Sequence, residues 1–230
     1  MKRMFERQLI RTHVISRGED IAEVAARYCE GQAGRGDVIV VSESVVAISQ
    51  GRAIPEKEIR PGLLARLLWR FVTKVPYGVG LRSPATMHCA INECGAIRIL
   101  TAALVSGLTR PFGKRGYFYR IAGLQAALID AAHTSPVEPY RSCVILGPRN
   151  PDLVAESIKR KTGVDAAVMD INDIGGSWVI GRTSGVNAAV LEEVMRDNPM
   201  GQGDQLTPIC VVRCVAAEDS ARNLLDSRHT

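Results

Sequence analysis

The sequence has no Cys-x-x-Cys pair. It holds six cysteines. Cys89 and Cys94, like Cys210 and Cys214, lack His or Cys partners at zinc spacing, which argues against a structural zinc site. A chain of 230 residues can bury a core without staples, so a disulfide framework is not expected. Most of the cysteines read as small core residues in a reducing compartment. No apolar stretch approaches the roughly 18–20 residues that span a bilayer. The opening Met1-Lys2-Arg3-Met4-Phe5-Glu6-Arg7 lacks the apolar run of a signal peptide. These absences predict a cytoplasmic protein with no membrane partner. Low-complexity runs and short-period repeats are absent too, which excludes long disordered tracts and solenoids. There is no compact basic block. The net charge of +5 therefore suits anionic small molecules better than nucleic acid, and no nucleic-acid partner is expected. The phosphate-binding pattern GxxxxGK[ST] does not occur.

What is present is an ordinary globular balance, 46% hydrophobic and 23% charged. Gly18-Glu19-Asp20 precedes a helix with Ile21, Val24, Ala25 and Tyr28 on one face. Asp37 to Val41 has the composition of a buried strand. Pro61 starts an amphipathic helix, with Leu63, Leu64, Leu67, Leu68, Phe71, Val72 and Val75 as its stripe and Arg66, Arg70 and Lys74 as a basic line. Such a stripe suits the protein's own core or a dimer partner; a membrane-surface helix has the same pattern. Asn150-Pro151-Asp152 signals a helix start with an amide cap, and Gly163 its end. Strands at Ser142–Leu146 and Ala166–Asp170 flank that helix and suggest a βαβ crossover. Trp178–Ile180 and Ile209–Val215 read as further strands.

Four segments carry donors that chemistry needs. Asp170-Ile171-Asn172-Asp173 follows an apolar run, Val164 to Met169. Carboxylates at the end of a buried strand face a cleft, and Mg²⁺ or Mn²⁺ takes oxygen ligands of this type. A plain turn before Gly175-Gly176 is the simpler reading. His88 to Gly95 places Asn92 and Glu93 in an apolar stretch. Thr109 to Arg120 sets glycines beside Lys114 and Arg115, which could bring backbone N–H groups and cations to phosphate, or it is an exposed basic loop followed by a core strand. Asp197 to Pro208 is a long polar, glycine-rich loop of the kind that covers a ligand.

Taken in order, these segments resemble the coenzyme F420-0:γ-glutamyl ligase family, from about Val14 to Val215. The similarity runs through Val14-Ile15-Ser16-Arg17-Gly18-Glu19-Asp20-Ile21, Asp37 to Ser42 with Gln50-Gly51-Arg52, His88 to Gly95, Asp170-Ile171-Asn172, and Gly201 to Leu206. The resemblance implies an α+β fold, a mixed β-sheet with flanking helices, and an intertwined homodimer. Residues 1–230 would form one ligase-like unit, with a second subdomain within about 76–140 left open. The implied activity joins L-glutamate to a carboxylate of a cofactor-like acceptor through an acyl phosphate, with GTP or ATP as co-substrate and Mg²⁺ or Mn²⁺ as cofactor. The implied catalytic residues are Asp170 and Glu93. Asn92, Glu93, Asp170 and Asp173 are the implied metal ligands. Val14, Ile15, Glu43, Ser44, Arg52, Gly201, Gln202, Gly203 and Gln205 are the implied nucleotide contacts. The chain departs from the family at three places. Asn92, beside Glu93, stands where the family has aspartate, Ile171 where it has threonine, and Ile48 where it has a phosphate-binding lysine. Lys114, Arg115 and Arg52 are the cations that can replace that lysine. A nucleotide-binding homologue without ligase activity, or another metal-dependent phosphate-releasing enzyme, is the alternative.

Overall fold

The computed structural model describes residues 4–71, 81, 83–112, 116–172 and 176–215. The chain forms two compact units, one of residues 1–15, 19–46 and 150–230, the other of residues 16–18 and 47–149. The first unit begins with β1 (Met4–Ile10), α1 (Ile21–Cys29) and β2 (Val38–Ser42), and α2 (Glu43–Ser49) follows β2 directly. Asp20 caps α1, its Oδ1 accepting from the Ala22 N–H at 2.8 Å. Ile21, Val24 and Ala25 are buried, as their spacing predicts.

The second unit is mostly helical: β3 (Ala53–Pro55), α3 (Leu63–Leu68), α4 (Pro84–Cys94), α5 (Ala96–Thr109), α6 (Tyr117–Ala122), α7 (Leu124–Ala127) and β4 (Cys143–Ile145). Ser83 starts α4 with a capping box shared with Thr86, and Pro84 occupies the first helical position. The chain then returns to the first unit with α8 (Pro151–Thr162), β5 (Asp165–Asn172), β6 (Gly176–Arg182), α9 (Ala188–Val194) and β7 (Ile209–Val215).

The first unit is built on a mixed five-stranded sheet in the order β1-β7-β2-β5-β6. β2 and β5 run parallel, and the other pairs are antiparallel. Side chains alternate across it. Ile39, Val41, Ala166, Val168, Ile209 and Val211 pack with Val24 of α1 and with Ala155 and Ile158 of α8. Val40, Ala167, Met169, Cys210 and Val212 pack on the other face with Leu191 of α9 and Met195. Helices cover both faces, which is why these strands read as continuous apolar runs. The mixed α+β architecture with flanking helices matches the expectation. Cys29, Cys89, Cys143 and Cys210 are buried. Burial pushes the thiols of Cys29 and Cys89 to about 11 and that of Cys210 to about 12, so they stay protonated and inert.

Several local expectations are corrected. The proposed βαβ crossover does not exist, because β4 pairs with β3 in a separate two-stranded sheet while the parallel partner of β5 is β2. Asn150 does precede α8, but it adopts a left-handed conformation and its side chain makes no capping bond. Tyr117–Arg120 is helical within α6, not a strand. The helix after Pro61 ends at Leu68, where a 3-10 turn at Trp69–Phe71 takes over. Its apolar residues occupy more than one face, so Ala65 and Leu68 are buried while Leu63, Leu67 and Phe71 are exposed. Val72 and Val75 lie outside the described residues. Among the described residues, no single helix is long and apolar enough to cross a membrane.

Candidate active site

One end of the five-stranded sheet collects several of the sequence-predicted site residues. β1 ends at Ile10, opposite Ile209, where β7 begins. β2 ends at Ser42, opposite Met169 of β5, and Val41 again faces Ile209. β5 ends at Asn172, opposite Gly176, the start of β6. The segments carrying Val14 and Ile15, Glu43 and Ser44, and Gly201, Gln202, Gly203 and Gln205 all connect to strands at this end. Backbone bonds tie them there: the Thr12 N–H donates to the Leu206 carbonyl at 2.8 Å, and the Ser42 N–H to the Pro208 carbonyl at 2.9 Å. Gln202 Nε2 donates to the Ile171 carbonyl at 3.4 Å. Open sheets bind ligands beyond the carboxyl ends of their parallel strands, and β2 and β5 end here. Ile15 is buried in the core, so its side chain is taken up by packing. Glu43 is buried as well.

Asp170 lies on β5 near this end of the sheet. The four β5 residues before it, Ala166 to Met169, are buried, and Asp170 itself is half-buried. Opposite, the register jumps from Val168–Gly181 to Met169–Val179, a bulge of the kind that re-aims side chains beside active sites. Among the described residues, the Asp170 carboxylate has no hydrogen-bond or ion-pair partner. Burial pushes its carboxyl above the usual range. A half-buried, unpaired carboxylate is costly unless a cation or ligand completes it. Its cross-strand neighbour Trp178 is 51% exposed. The Trp178 ring lies 1.8 Å from where a Cβ on Gly176 would stand, so a side chain there must displace the ring.

The predicted ligands Asn92 and Glu93 belong to the second unit. Glu93, near the end of α4, is 18% exposed, and its Oε2 accepts from Arg52 Nη2 at 2.6 Å. Arg52 is buried and also donates from Nε to the Gly147 carbonyl at 2.5 Å. The predicted nucleotide contact and the predicted metal ligand are thus bonded to each other. Asn92 is exposed and pairs with His88 one helical turn earlier, Nδ2 to Nε2 at 3.3 Å. Among the described residues, no group of three or more His, Cys, Asp or Glu is arranged to hold a metal ion. Asp173, Lys114 and Arg115 lie outside the described residues. Ile48 is buried in an apolar cluster with Ala47 and Ile145.

Two features were missed from the sequence. The Arg52–Glu93 pair joins residues 41 positions apart, with no periodicity to announce it. A chain of polar groups also flanks Val14: His13 Nδ1 meets the Tyr28 hydroxyl at 2.9 Å, and His13 Nε2 meets Glu19 Oε2 at 2.6 Å. The polar character of His13 and Glu19 beside the Val14 segment was the available signal.

The model of the F420-0:Gamma-glutamyl ligase family matches residues 9–196. The chain belongs to that family. The match takes in Arg52, Asn92, Glu93 and Asp170, and it ends before the loop from Gly201 to Gln205. That loop's candidacy rests on its place at the sheet end. No curated protein matches the chain.

Proposed function

We propose that this family member is a nucleotide- and divalent-metal-dependent γ-glutamyl ligase acting on a carboxylated small-molecule acceptor. The observation that carries the reading is Asp170: a half-buried carboxylate, unpaired among the described residues, at the sheet end where the candidate nucleotide segments converge. An oxygen donor of this kind fits a hard cation. Asp170 would hold Mg²⁺ or Mn²⁺, with Asn92, Glu93 and Asp173 as further candidates, and the ion would neutralise phosphate charge.

The chain's own residues have a positioning task, since phosphoryl transfer needs alignment more than covalent help. The backbone at Val14 and Ile15 and the side chains of Ser44, Gln202 and Gln205 would align the nucleotide. The acceptor carboxylate attacks the γ-phosphorus, the bond to the bridging oxygen breaks, and the nucleoside diphosphate leaves. The glutamate amine then attacks the acyl carbon, loses a proton and expels phosphate.

The test is phosphate release from GTP and ATP with Mg²⁺ or Mn²⁺, with and without L-glutamate, across carboxylated deazaflavins, folates and related acceptors. Release that needs both glutamate and one acceptor supports the ligase. Ile48, buried where the family has a lysine, favours a second reading, a homologue that binds nucleotide without turnover. Nucleotide binding without release under any combination selects it. Release that ignores glutamate points instead to a phosphohydrolase.

A further inference from the structure

His13 joins three hydrogen bonds directly before Val14 and Ile15. Its Nδ1 meets the Tyr28 hydroxyl at 2.9 Å, and its Nε2 meets Glu19 Oε2 at 2.6 Å. The His13 backbone N–H donates to the same hydroxyl at 3.3 Å. One assignment of protons satisfies all three contacts. The Tyr28 oxygen accepts from the backbone, its own proton goes to Nδ1, and Nε2–H goes to the Glu19 carboxylate. The two rings stack, with centroids 5.7 Å apart and 28° between planes. Tyr28 lies in the last turn of α1 and packs partly on the core. Glu19 immediately precedes Asp20, which caps the same helix. One side chain thus ties this segment to both ends of α1.

Thr12 is fastened as well. Its N–H donates to the Leu206 carbonyl at 2.8 Å, and its hydroxyl donates to the His13 carbonyl at 2.8 Å. Leu206 sits at φ 55°, a left-handed conformation that leucine seldom adopts. Such backbone persists where the surrounding bonds over-determine it. The next two residues differ. Among the described residues, the backbone N–H and C=O groups of Val14 and Ile15 make no hydrogen bond. Ile15 is 4% exposed, and buried backbone groups are costly to leave unpaired. Val14 and Ile15 are therefore held by their neighbours' bonds and by the Ile15 side chain, with none of their own. A main-chain edge fixed in this way offers its bonds to a ligand without first having to be ordered.

We propose that His13 is a positioning residue for the nucleotide: through Tyr28 and Glu19 it holds the Val14–Ile15 backbone in the geometry that receives it. This inference rests on the nucleotide-dependent reading above. The imidazole acts through the backbone and does not itself touch the ligand. Without it, residues 13–15 sample other conformations, and binding has to reorder them. The test is calorimetric titration of the full chain with GTP and with ATP in Mg²⁺, on wild type, H13A, Y28F and H13A/Y28F. H13A and Y28F should each weaken binding by about tenfold. The double variant should bind no more weakly than H13A, because both changes break one chain of bonds. Melting temperatures should stay within about 2 °C of wild type, since His13 is exposed and Y28F keeps its ring. Amide exchange at residues 13–15 should quicken in all three variants. If wild type binds nucleotide and H13A binds it equally well, the positioning role is overturned while the nucleotide reading stands. Losses that add in the double variant, or that only accompany a matching drop in melting temperature, overturn the role too. Wild type that binds neither nucleotide overturns both.

Discussion

Asp170 and Arg52 make opposite demands on the fold. Among the described residues Asp170 has no partner, and burial raises its carboxyl pKa above its unfolded value. The folded state therefore favours the protonated form. The charged form costs stability at neutral pH, and that cost fades as pH falls through the raised value. Asp170→Asn should lower turnover by at least about a hundredfold while raising the melting temperature by about 2–4 °C near pH 7. The stability gain should vanish in acid; differential scanning calorimetry at two pH values checks it. Arg52 is the reverse case. Arg52→Ala strands a partly buried Glu93 and frees the Gly147 carbonyl, and it should cost about 3 kcal/mol in urea unfolding. Glu93→Gln, which keeps an acceptor for Arg52, should cost less.

At the scale of elements, the seat of α8 on β6 has little tolerance. A Cβ on Gly181 would stand 2.3 Å from the Pro151 carbonyl carbon, in the first turn of α8. The Arg182 N–H donates to Asp152 Oδ1 at 2.9 Å in the same contact. Gly181→Ala must push backbone against backbone and should destabilise by about 1–3 kcal/mol. The shift would reach the bulge between Gly181 and Val179, and with it Asp170. In the proposed ligase, nucleotide affinity should fall along with stability, as calorimetric titration of the variant can measure.

For the whole molecule, two acid-bearing networks set the response to pH. Burial raises Asp37, but hydrogen bonds from Arg213 and Gly34, with the charge of Arg213, outweigh it and hold the carboxyl below the usual range. Asp165 is held low by hydrogen bonds from Lys159 and Thr183. Both folded values lie below the unfolded ones, so their stabilisation is full above the ordinary carboxylate range. It is lost as pH falls through the depressed folded values. Unfolding followed by circular dichroism should show stability dropping below about pH 4. D37N and D165N should each flatten that drop.

The sequence by itself determined three central strands, the α1 face and the family. Val38–Ser42, Asp165–Asn172 and Ile209–Val215 are apolar because helices cover both sides, and that composition is legible in one dimension. Asp170 stood out because a carboxylate ends such a run. Partner choice was not legible. The βαβ reading failed because local order fits two topologies, and only pairing across 127 positions, Val38 with Asp165, selects one. The Arg52–Glu93 bond and the bulge beside Asp170 were invisible for the same reason. The fate of the leucines after Pro61 also depended on tertiary packing. A helix apolar on several sides does not say which side the core takes, and here Leu63, Leu67 and Phe71 were left outside.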